Sequence, residues 1–71
     1  MKSMLELAHQ YPAGFWACDE CDAELYEMAE AAGFEYVSLD IQYITDLSVR
    51  HCTRCGFAPE TGLYPVQLVI N

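Results

Sequence analysis

Two identical Cys-x-x-Cys pairs, Cys18-Asp-Glu-Cys21 and Cys52-Thr-Arg-Cys55, hold every cysteine of this chain. Two intervening residues let a backbone turn tightly enough for both sulfurs to reach one ion about 2.3 Å away. Two such pairs match the four corners of a tetrahedral zinc site, each pair giving one edge. The same thiols also admit dithiol exchange at one pair, or two structural disulfides. A zinc saturated by four thiolates has no position left for water or substrate, so the zinc reading implies a structural metal. Such a site carries net negative charge, and Arg50, just before the second pair, and Arg54, within it, would offset part of it. His51 borders Cys52, but adjacent residues do not readily reach one ion, so a place outside the ligand set is expected. His9 reads as an ordinary helix residue. Hydrolytic and phosphoryl-transfer chemistry find no Ser-His-Asp order or phosphate loop here.

The second pair runs on as Cys52-Thr53-Arg54-Cys55-Gly56-Phe57 and resembles the zinc knuckle of zinc-ribbon proteins. In a knuckle, a Gly after the second Cys frees the backbone to turn back beneath the metal. The resemblance is confined to the short motifs and implies a four-cysteine domain with zinc held by Cys18, Cys21, Cys52 and Cys55. A second resemblance starts at Phe15-Trp16-Ala17-Cys18-Asp19-Glu20-Cys21 followed by a helix, which looks like the active-site turn of thioredoxin and glutaredoxin proteins. It runs through Tyr36-Val37-Ser38-Leu39-Asp40-Ile41 to Tyr64-Pro65-Val66. It implies a thiol-disulfide oxidoreductase with Cys18 as nucleophile, Cys21 as resolving thiol and Pro65 as a cis-proline facing them. The chain departs from that pattern in the few residues left for a strand before Cys18, and in placing Cys52 and Cys55 where the family has an ordinary helix.

Size favours the metal. The 71 residues form one domain with little interior to stabilise it. A hydrophobic content of 54% nevertheless separates the chain from disordered ones. Bound zinc adds folding free energy on the order of 10 kcal/mol in favourable cases. Met1-Lys2-Ser3-Met4-Leu5-Glu6 lacks the apolar run of a signal peptide, and no stretch reaches transmembrane length. The expectation is a cytoplasmic protein with reduced thiols, folded as a single zinc-binding domain over residues 1–71.

The formal net charge is −8, and no Lys or Arg lies between Ser3 and Val49. Such a surface repels nucleic acid, whose binding depends on Lys and Arg. It attracts a basic protein surface, including one whose own ligand is nucleic acid. The function expected is therefore non-enzymatic: an acidic zinc-binding interaction module, acting as inhibitor or adaptor, with Glu20, Glu24, Glu27 and Glu30 as partner contacts. Acidity that serves only solubility is the plainer alternative. Most of the aromatics should be core, while Tyr26 and Tyr43 are candidates for exposure among the acids.

These residues need elements to position them. Met4, Leu5, Ala8 and Tyr11 recur at helical spacing after Ser3, an N-cap type, and Pro12 and Gly14 end that helix. From Asp19 the pattern is helical again, with Leu25, Met28, Ala29 and Ala32 on one side and Gly33 past the end. Strands are expected over residues 34–41, with Val37, Leu39 and Ile41 alternating with polar partners, then over 47–51 and 64–70. The fold class is α+β: two N-terminal helices and a three-stranded antiparallel sheet, the helices on one face.

Overall fold

In the computed structural model, which describes residues 2–69, Ser3 opens helix α1 (Met4–Gln10). Its side chain accepts the Glu6 N–H at 3.2 Å, satisfying one of the unpaired amides of the first turn. Met4, Leu7 and Ala8 form the buried face. Leu5, expected inward, is exposed, because a step of about 100° per residue carries it off the Met4–Ala8 stripe that Leu7 joins. Helix α2 (Asp19–Ala32) follows strand β1 (Phe15–Ala17) and buries Cys21, Leu25 and Ala29, spaced four apart on one side. Met28 and Ala32 lie towards solvent instead. Gly33 ends α2 in the left-handed region, its N–H returning to the last carbonyls.

Strands β2 (Glu35–Ser38) and β3 (Tyr64–Val69) complete a sheet of order β1-β3-β2, with both outer strands antiparallel to β3. Phe15 lies opposite Val66, and Tyr36 opposite Leu68. These four side chains face the helices. Leu7, Leu25, Leu63 and Cys52 are fully buried. The last residue of the expected final strand, Ile70, lies outside the described residues.

The element order is thus α, β, α, β, β, with the third strand at residues 15–17 and not at 47–51. Asp46 explains the second half of that correction. Its carboxylate accepts from the Ser48 N–H at 3.0 Å and the Ser48 hydroxyl at 2.7 Å, while its carbonyl takes the amides of Val49 and Arg50. A side chain that satisfies its own local backbone favours a turn over a ladder. β2 is also shorter than expected, and Pro65 accounts for its end. Leu39 donates its N–H to the Pro65 carbonyl at 3.0 Å, but Pro65 has no N–H to return, so regular pairing stops at Ser38. The chain then rejoins β3 through a two-way backbone bridge between Gln42 and Leu63. Gly62 permits it, since a Cβ there would run into the Gln42 carbonyl.

The alternating set of residues 37–41 sits on the unexpected side. Tyr36 turns to the helices and donates its hydroxyl to Asp22 at 2.7 Å, which leaves Val37 and Leu39 on the open face. Burial of the phenol, together with this bond to a carboxylate, pushes the Tyr36 hydroxyl far above its usual range, so it remains a donor at every working pH. Replacing Leu25 by Ala should cost about 3 kcal/mol, because the side chain is fully buried in the core. Urea unfolding should show a lower midpoint with an unchanged slope.

Candidate metal centre

Cys18 is the N-cap of α2 and Cys21 lies in its first turn. The Cys18 side chain makes no capping bond, which leaves its sulfur free to face inward beside that of Cys21. The second pair sits in a tight turn closed at both ends: the Cys52 N–H donates to the Phe57 carbonyl at 2.7 Å, and the Gly56 N–H to the Cys52 carbonyl at 2.8 Å. Gly56 has φ +84°, the left-handed conformation expected for a glycine after the second cysteine of a knuckle.

Thr53 brings the two halves together, and nothing in its sequence context announces it. Its N–H donates to the Trp16 carbonyl at 2.9 Å, and its hydroxyl accepts the Trp16 N–H at 3.3 Å. The outer edge of β1 is thereby clasped by the knuckle. Since Trp16 is two residues before Cys18 and Thr53 follows Cys52, the clasp sets the cysteine pairs side by side.

All four sulfurs lie within 4.8 Å of one another, with Cys18 and Cys55 3.8 Å apart. A tetrahedral zinc with sulfurs about 2.3 Å away separates those sulfurs by about 3.8 Å, so the cluster fits one ion with little adjustment. Cys18, Cys21 and Cys52 are buried and Cys55 is exposed, and the four thiols are free of disulfides. Four cysteines so arranged can bind a metal ion.

Burial works against the Cys52 thiolate, but backbone donors at Cys18, Cys55 and Arg54 outweigh it and bring the thiol down to about 7. Cys18 and Cys21 are pushed the other way, first by burial; a neighbouring sulfur charge adds to it. One sulfur thus ionises readily while Cys18 and Cys21 resist, first because burial disfavours their charged form and then because the Cys52 thiolate repels a second charge. A dication in their midst removes that conflict.

The arginines do not take the place expected for them. Arg54 is buried, and its guanidinium donates to the Glu24 carboxylate at 3.5 Å and to the Met28 sulfur at 3.8 Å. Arg50 reaches the Tyr43 hydroxyl and lies over that ring. Among the described residues, backbone amides rather than guanidinium groups serve the sulfurs. His9 and His51 are both exposed and stand outside the cluster. Pro65 does not face the cysteines as a cis-proline would: it lies opposite Trp16 on the open face of the sheet, and every peptide bond among the described residues is trans. Glu20, Glu24, Glu27 and Glu30 are all exposed along α2, though Glu24 is engaged by Arg54.

No protein-family model, curated protein or solved structure matches this chain. No helix among the described residues is long and apolar enough to cross a membrane.

Gly56→Ala should weaken metal binding about tenfold, because a side chain in the left-handed region costs roughly 1–2 kcal/mol. Competition with a chromophoric chelator for Zn2+ or Co2+ measures it, and an unchanged affinity would show that the turn is not held in this conformation.

Proposed function

We propose that this chain is a non-enzymatic, zinc-stabilised interaction module that docks its acidic surface on a basic surface of a partner protein, as an inhibitor or adaptor. The observation that carries the metal half is the convergence of four cysteine sulfurs within 4.8 Å. Zinc suits the donor set: four thiolates, tetrahedral spacing and a knuckle turn closed by glycine. Cys18, Cys21, Cys52 and Cys55 hold the ion, and because they saturate it, its contribution is structural. It fastens the start of α2 to the knuckle, and with it the helix that carries Glu20, Glu24, Glu27 and Glu30. Backbone amides around Cys52 lower the cost of the first thiolate, and the remaining three lose their protons to the metal on binding.

Protein purified without added metal should contain close to one zinc per chain. Cys52→Ala should remove it and broaden the amide spectrum throughout, since this sulfur is fully buried at the junction of helix and knuckle. A metal-free chain that is fully folded with four free thiols would overturn the metal reading. Reduction of insulin by a chain that needs only Cys18 and Cys21 would establish the redox chemistry in its place.

Support for the docking half comes from charge: −8 in total, with four glutamates exposed along one helix. A basic protein surface, including one that binds nucleic acid, is the complementary partner, and direct nucleic-acid binding is not expected. Association with such a partner should weaken steeply as salt rises, mainly through a slower on-rate, because exposed charges are screened beyond about 8 Å at physiological ionic strength. Reversal of Glu20 and Glu27 to Lys should weaken it further while leaving zinc content unchanged. Glu24 is unsuited to that test, because its loss would strand the buried Arg54. Binding indifferent to both salt and reversal would reduce the acidity to a solubility device.

A further inference from the structure

Among the described residues, nothing pairs with one edge of the sheet. β1 is clasped along its outer side by Thr53, whereas β2 is the other outer strand. Leu39 bonds to Pro65 across the ladder, so Leu39 and Val37 direct their backbone groups to β3, while Tyr36 and Ser38 direct theirs outward. Among the described residues those outward groups meet no backbone partner. Residues 34–40 carry neither Lys nor Pro, the residue types with which natural edges are commonly blocked.

The two flanks of this edge differ. On the open face, Val37 and Leu39 are 38% and 60% exposed beside an apolar groove of about 410 Å³ that extends over Pro65 to Trp16. On the helix face, a small hollow is lined by Tyr26, Glu30, Phe34 and Tyr36, with Tyr26 edge-on to Tyr36. Glu35 and Asp40 stand at the two ends of the exposed stretch, and no basic residue lies anywhere in residues 34–49.

We propose that β2 accepts an extended segment of a basic partner protein as a fourth strand, paired to Tyr36 and Ser38, with apolar side chains alternating with Lys or Arg. This rests on the acidic-docking reading and names the place and shape of the contact. A strand added to an edge places successive side chains on opposite faces. Its apolar residues cover Val37 and Leu39 and exclude water from the open groove. Its basic residues fall on the helix side, where Glu30 supplies a carboxylate and Tyr26 an exposed ring for a cation. Charge decides against a second copy of this chain as the occupant. An incoming β2 would bring Glu35 and Asp40 against the same acids, and no Lys or Arg between Ser3 and Val49 to balance them.

The test uses the zinc-loaded chain and a capped octapeptide of alternating Val and Lys. Titration followed by amide NMR should show saturable binding at low salt and slowed hydrogen exchange at Tyr36 and Ser38. Alternating Val–Glu and Ser–Lys peptides should each bind about tenfold more weakly or worse, the first for lack of charge and the second for lack of apolar cover. Ser38→Pro, which removes an outward N–H that bonds nothing among the described residues, should lower affinity about tenfold with zinc content unchanged. Leu39→Lys, on a side chain already exposed, should do the same without any backbone change. The proposal is overturned by a Val–Lys peptide that fails to bind, or that binds both variants as well as the parent. It is equally overturned by binding that leaves the Tyr36 and Ser38 amides unprotected, or by a peptide-free dimer that protects them. If peptide binding ignores Ser38→Pro but falls on reversal of Glu20 and Glu27, acidic docking stands and only its placement at β2 is lost.

Discussion

The meeting of Cys18 and Cys21 with Cys52 and Cys55 is the constraint on which the fold depends. Among the described residues, thirteen apolar side chains make up the buried core, and three of them are cysteines of this cluster, so the thiols are interior packing as well as candidate ligands. In a chain of this length the interior alone yields little net stability, and a metal held by the four thiols would contribute where area cannot. The two cysteine pairs lie on either side of residues 22–51, a span that contains all of β2 and most of α2. Closing that span at one point limits the conformations of the unfolded chain and fixes where α2 begins. The same point anchors the N-terminal segment, because the Lys2 N–H donates to the Arg54 carbonyl at 3.2 Å.

The backbone prepares this meeting before any ion is considered. Thr53 and Trp16 exchange two hydrogen bonds, Gly56 turns the knuckle, and Cys52 receives amide donors from three residues. Each uses main-chain geometry, which orders the sulfurs without long, flexible side chains that would cost entropy to fix. Arg54 shows the contrasting use of a side chain. Its guanidinium is buried and takes Glu24 from the helix surface, so an acid that looks purely superficial also ties α2 to the knuckle.

What was legible in the sequence was whatever a local rule governs. Ser3 as N-cap, the start of α2 at Asp19, Gly33 at its end and Gly56 in the knuckle all follow from conformations that few residue types adopt or satisfy. The paired cysteines were legible for the same reason, since ligand geometry dictates their spacing. The misreadings arose where two rules competed. Residues 47–51 alternate like a strand, yet Asp46 satisfies a turn more cheaply. Phe15–Ala17 is too short for any period to register and becomes a strand only because β3 and Thr53 take up its two edges. Residues 37–41 alternate cleanly, but Phe34 and Tyr36 offer larger surfaces to the helices and set the phase against Val37 and Leu39.

That inverted phase leaves an apolar sheet face in water, an arrangement that ordinarily invites association between copies. The charge distribution opposes it. Copies that each carry −8 repel, and the stretch holding the open edge has acids at Glu35, Asp40 and Asp46 without a single cation. In the docking we propose, apolar exposure and acidity would act as a pair: the first would make the surface adhesive, the second would restrict what adheres to chains of opposite sign. Neither property requires a bound metal directly. Both require α2 and β2 to be held in register, and that register depends on the helix whose first turn carries Cys21 and begins at Cys18.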